Sequence, residues 1–188
     1  MTPTVFMNKP GLLARWREDL RGVAAVEFAL IFPVLALLYL GGFEITQAMA
    51  TYRKVSDTTV ELGNVATQYT TMATPDVANI FAASAQIMAP YATSNLGIVM
   101  SEISTDKNNN AKVTWSCAYN GATKLVDTSS FTLPAGFSSP SMSYILVQTS
   151  YMYDPTAGAN FIKPIPMADQ IYMIPRASAD IPNTDPAC

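Results

Sequence analysis

Residues 21–43 read RGVAAVEFALIFPVLALLYLGGF, and the fold follows from how that stretch is understood. From Val23 to Phe43 there are 21 residues with one charge, Glu27. At about 1.5 Å of rise per residue the run makes a helix of about 31 Å, the thickness of a bilayer core. An acid at the centre of such a helix costs about 2.5–3.5 kcal/mol, and less near the interface. Glu27 sits near one edge, so the bilayer tolerates it but does not explain it. Pro33 removes a backbone hydrogen bond and is expected to kink the helix. Gly41-Gly42 is a second soft point at the exit from the membrane.

Charge orients the segment. The chain has 11 Lys and Arg against 14 Asp and Glu. Four of the basic residues, Lys9, Arg15, Arg17 and Arg21, lie before the apolar run, with only Glu18 and Asp19 against them. The positive-inside tendency therefore keeps residues 1–22 in the cytoplasm and carries the rest across the membrane. The remainder is acidic, which argues against a nucleic-acid partner. In an oxidising compartment the two cysteines, Cys117 and Cys188, are expected to pair; the other reading is two free thiols. Closing a loop of about 70 residues stabilises a domain by about 4 kcal/mol in the chain-entropy description.

Beyond the run the helical pattern continues. Ile45, Ala48, Tyr52, Val55, Thr59, Leu62, Ala66 and Tyr69 are spaced alternately by three and four, one stripe expected to face a core. Gln47, Arg53, Lys54, Asp57 and Glu61 take the other faces. One helix is thus expected over residues 23–70, with a break allowed at Gly63-Asn64. A second begins with Thr74 as cap and Pro75 in its first turn and stops before Pro90. Alternation predicts strands over 97–104 and 111–118 joined by a turn at 106–110, with Val113, Trp115 and Cys117 on one face. Residues 122–141 read as loop. Residues 143–153 are the clearest strand, and 170–178 a last one, bent or at an edge because of Pro175. The expected fold is α+β: a long helix, a short helix and about four antiparallel strands. The expected segments are 1–22, 23–43, 44–70 and a headgroup over 71–188.

Glycine, then an acid five positions later, then an apolar run: GVAAVEFALIFPVL resembles the start of type IV pilins and pseudopilins, and in its short form the TadE-like minor pseudopilins of the tight-adherence (Tad/Flp) pilus system. The resemblance is sharp over about residues 15–50. YDP at 153–155 and IPRAS at 174–178 add to it. It implies that a prepilin peptidase cuts between Gly22 and Val23, removing a leader, and that Glu27 becomes the fifth residue of the mature chain. There its carboxylate would meet a Val23 amine, its own or a neighbour's, because a charge pair strengthens and an unpaired charge is costly in low dielectric. Implied partners are the peptidase, other pilins and minor pseudopilins, the inner-membrane assembly platform and the lipid bilayer. The implied location is the bacterial inner membrane, single-pass, with the C-terminal part periplasmic or carried into a surface pilus used for adhesion. A different reading stays open: a membrane-anchored periplasmic binding or scaffold protein that never enters a filament. A secretory signal peptide is excluded by the length of the run and the lack of a small-x-small site.

Enzymatic chemistry finds little footing. The chain has no histidine, the commonest general base and metal ligand. Two cysteines 71 positions apart fit no zinc motif. Asp106, Asp127, Asp154, Asp169, Asp180 and Asp185 are scattered, nearly all in turn-like sequence, where Asp serves the backbone. The DKNNN turn at 106–110 is the one faint hint of a calcium loop. Serines and threonines lack a base, and no Gly-rich phosphate loop follows a strand. The expectation is a protein that is not an enzyme, with no cofactor and no metal.

Overall fold

The structure, a computed structural model, describes residues 21–137, 139–156, 163–185 and 188. The leader expected over residues 1–22 lies outside the described residues except at its last two. Helix α1 spans Arg21–Ala66, and α2 spans Thr74–Met88. Five strands follow: β1 (Leu96–Thr105), β2 (Ala111–Tyr119), β3 (Ser130–Phe131), β4 (Ser143–Tyr153) and β5 (Ile165–Met173). They form one curled antiparallel sheet in the order β3-β2-β1-β4-β5. The chain divides into two units, Met1–Phe43 and Glu44–Cys188.

In the second unit, α1 and α2 pack on one face of the sheet. Val55, Leu62 and Ala66 of α1 and Val77, Ile80, Phe81 and Met88 of α2 meet Ile98, Met100, Ile145, Val147 and Tyr151. The buried arc of α1 also holds Thr51, Thr58 and Thr59, none of them exposed. Each threonine hydroxyl donates to the carbonyl four residues back, so burial leaves no hydroxyl proton unpaired. Thr59 also meets Thr149 of β4 at 2.5 Å. This arc differs from the stripe expected from apolar spacing: Ile45 is 64% and Tyr52 46% exposed. The expected stripe took in Thr59 but passed over Thr51 and Thr58, which are equally buried and whose hydroxyls also bond within the helix. Gly63 does not break the helix. A Cβ there would stand 3.0 Å from Met173 Sδ, so the glycine lets β5 close on α1.

Three further expectations are corrected. Ala73, not Thr74, caps α2; the Asp76 carboxylate accepts the Ala73 N–H at 3.0 Å, and the Thr74 hydroxyl turns instead to Asp185. Val113 does not share a face with Trp115 and Cys117. Glu102 pairs with Trp115 but Ile103 with Val113, which leaves Thr114 as a bulge. One extra residue reverses the alternation. Val113 therefore joins Ile103, Ala111 and Leu146 on the opposite face, under Leu125, Phe131, Leu133 and Tyr172. The last strand is Ile165–Met173, not 170–178. Pro166 is tolerated because β5 is an edge strand and the proline lies at its second residue.

The chain's last described residues are fastened to β2. Cys117 and Cys188 form a disulfide. Trp115 Nε1 donates to the Ile181 carbonyl at 2.8 Å, and Asn183 bridges to Met72. The Ile181 N–H donates to the carboxylate of Glu102, which is 1% exposed. Burial raises the Glu102 pKa above the ordinary carboxylate value, opposed by the Ile181 N–H and by hydrogen bonds from Ser143 and Trp115. The sign follows from linkage. A raised folded-state pKa means that the folded chain holds this proton more tightly than the unfolded one. Glu102 therefore lowers stability as pH rises from its ordinary pKa through its folded pKa, and not below. Glu102→Gln keeps an oxygen for the Ile181 N–H and removes the charge. Urea midpoints should be higher for the variant than for the parent at neutral pH, and should converge at about pH 4. A variant less stable at neutral pH would mean that the ionised carboxylate is needed.

Candidate functional site: the apolar helix and its anchorage

The first unit is the apolar part of α1. From Gly22 to Ala66 the helix contains a window with a mean hydropathy of 2.4, none of it buried. Val26, Phe28, Leu30, Leu37, Leu38 and Tyr39 are each more than 60% exposed. So many exposed apolar side chains in a row need an apolar surrounding. One N-terminal helix of this length and composition fits a single-pass membrane anchor.

The residues singled out in sequence fall within this helix. Gly22 and Val23 lie at the start of the described part of this helix, where a glycine weakens helical structure. Glu27 is exposed and four residues past Val23, so the two share a helix face. Pro33 is inside the helix, which runs on through it. The disulfide Cys117–Cys188 is in the other unit and belongs to the anchorage of the chain's end.

The second unit grips its share of α1 at both ends, through the two C-terminal motifs quoted from the sequence. At one end Glu44, 6% exposed, accepts a hydrogen bond from the Tyr153 hydroxyl at 2.9 Å. Burial, then the Glu44 carboxylate, raises the Tyr153 pKa and keeps the phenol a donor. The next residue, Asp154, accepts from Asn95 Nδ2 at 3.0 Å, and the same amide donates to the Met152 carbonyl. At the other end the Arg176 N–H donates to the Thr67 carbonyl at 2.9 Å, and its guanidinium to Asn64 Oδ1 at 3.1 Å. Pro175 is buried beside it. YDP and IPRAS therefore hold positions 44 and 64–67, about 30 Å apart along the helix.

Sequence reasoning passed over Glu44 and Glu102. Glu44 stands between two apolar residues, in FEI, the same anomaly that made Glu27 conspicuous, whereas Glu102 follows a serine, in SEI, and carries no such mark. At the DKNNN turn, Asp106 accepts the N–H groups of Asn108 and Asn110, both at 2.8 Å, and the Asn110 side-chain amide at 2.9 Å. Those bonds hold its pKa below the ordinary value. They are what a turn asks of an aspartate.

Residues 22–63 match the family model described as TadE-like protein. This is a TadE-like segment. It begins at the glycine before Glu27, passes through the apolar run and ends where Gly63 meets β5. The match supports a protein associated with the Tad pilus system and, in general, with pilus components. No curated protein and no solved structure matches the chain.

The grip on the TadE-like segment can be loosened at one atom. Tyr153→Phe removes the hydroxyl that donates to a buried carboxylate. A hydrogen bond to a charged group contributes about 1.5–3 kcal/mol, and the loss should be of that size in chemical denaturation. Glu44→Gln, which can still accept the phenol's proton, should cost less. Equal and negligible effects of both would show that this contact does not hold the helix.

Proposed function

We propose that the chain is a minor pseudopilin of the Tad/Flp system, made as a precursor, cut between Gly22 and Val23 by a prepilin peptidase, and needed to assemble a pilus used in surface adhesion. The observation that carries this reading is Glu27, the one acid in the apolar run of a TadE-like segment, five positions after a glycine. A plain anchor has no use for that residue. In an assembly it has one: its carboxylate neutralises a Val23 amine exposed by cleavage, and the pair favours a bundle of helices over lipid. The flank before the run is the basic one, which favours a periplasmic second unit. The protein acts by assembly rather than catalysis, alongside other pilins and an inner-membrane platform.

The rival to this reading, an anchored binding or scaffold protein, keeps its leader. Intact-mass analysis of protein from cells with an active prepilin peptidase should give a chain starting at Val23. Gly22→Phe should leave the precursor uncut, because a peptidase must approach the backbone closely at that bond. A wild-type chain that retains Met1 would overturn the proposal.

Glu27 separates assembly from the earlier steps. Glu27→Gln should insert, be cleaved and fold as the parent does, yet give fewer surface pili and weaker attachment at equal protein level. Glu27→Leu should sit more firmly in the membrane and assemble worse still. Normal piliation with both variants would remove the assembly role from this residue.

A further inference from the structure

Beside α1 the second unit has an open groove of about 480 Å³, between the helix and the start of the edge strand β5. Met49, Tyr52 and Arg53 form one wall, and Ile165, Pro166 and Met167 the other. Its apolar residues are left in the open: Met49 is 58% exposed, Tyr52 46% and Ile165 39%, and Ile45 just below them 64%. Ile45, Met49 and Tyr52 are spaced by four and three, so they form a single stripe on the flank of the buried arc. Among the described residues lining the groove, the charged one is a cation, Arg53, and Lys163 is exposed two positions before Ile165. No lining residue is acidic, although the chain as a whole has net charge −3.

What covers this stripe is indicated by its place along the chain. Ile45 comes two residues after Phe43, the end of the apolar run, in the same helix. The helix rises about 9 Å from Phe43 to Met49 and about 14 Å to Tyr52. Helical side chains lean toward the N-terminus, here back toward the membrane, so their ends lie lower by most of a turn. Met49, Tyr52 and Arg53 thus follow within ten residues of the end of the apolar run, in the same helix. A tyrosine at a membrane interface has its ring in the apolar layer and its hydroxyl in water, and an arginine meets phosphate.

We propose that the groove between residues 45–53 of α1 and residues 165–168 of β5 is a phospholipid-docking site, which seats an acyl chain against Met49, Tyr52 and Ile165 and a lipid phosphate on Arg53. The site rests on the reading of residues 22–43 as a membrane span.

The test uses the full chain in nanodiscs of mixed phosphatidylcholine and phosphatidylglycerol. A trace of phosphatidylglycerol carries a photoactivatable diazirine in its acyl chain, and adducts are located by peptide mass spectrometry. Adducts are expected at 45–53 and 165–168 as well as within 22–43. Met49→Glu should reduce the groove adducts several-fold and leave those in 22–43 unchanged. Arg53→Gln should reduce groove labelling by the phosphatidylglycerol probe and by its phosphatidylcholine counterpart alike, since both carry the phosphate that Arg53 holds, and should leave labelling within 22–43 unchanged. An intact Cys117–Cys188 disulfide and unchanged Trp115 emission verify the fold of each variant. Adducts confined to 22–43 would overturn the docking site and leave the span. Cross-links from Met49 or Tyr52 to a second protein chain in place of lipid would assign the groove to a subunit contact instead. No adduct within 22–43 would overturn span and site together.

Discussion

Everything in the second unit is arranged around a helix that presents threonine, alanine and glycine to a sheet. Thr51, Thr58 and Thr59 return their hydroxyl protons to their own helix, and Gly63 admits Met173 so closely that a Cβ there would stand 3.0 Å from its sulfur and press it aside. Small and self-satisfied side chains let β4 and β5 approach closely, so large residues of the sheet, Ile145, Val147 and Tyr151, supply most of the apolar bulk. A leucine-rich face would have given more area but stood the sheet off, and would have made residues 44–66 as apolar as 23–43. The difference in composition between the two parts of one helix is what lets one part suit lipid and the other a protein interior.

The helix and its apolar half could be read directly, because length and hydropathy dominate there and no tertiary contact competes. Strands 97–104, 111–118 and 143–153 were legible from alternation to within a residue or two. What escaped was set by contacts distant in sequence. The bulge at Thr114 moves Val113 to the far face, and nothing in AKVTWSCA marks it. The last strand was read over 170–178 in spite of Pro175, and only its pairing with β4, from Ile165 to Met173, places it earlier and takes in Pro166. The short strand Ser130–Phe131 is too brief to carry a pattern.

The candidate site was legible in part. Glu27 is conspicuous because lipid offers an acid nothing, so its presence is informative without any structure. Glu44 and Glu102 have partners, Tyr153 and the Ile181 N–H, that lie 109 and 79 positions away. A buried carboxylate whose partner is distant reads in sequence as an ordinary surface acid. YDP and IPRAS were quoted for their resemblance to a family pattern, which said nothing of what they touch. That both of them hold α1 could be seen only in three dimensions.

The disulfide also determines how the molecule bears load. Tension applied at residue 188 passes through the sulfur atoms into Cys117, two residues before the end of β2. That strand is hydrogen-bonded to β1 along its length and to β3 at its start. The force therefore meets many ladder bonds together, while residues 181–185, held by a few hydrogen bonds, carry little of it. Reduction would reroute the same pull along that segment, where the bonds to Trp115, Glu102 and Met72 fail one after another. The bond thus converts a tail that would peel into one that must shear.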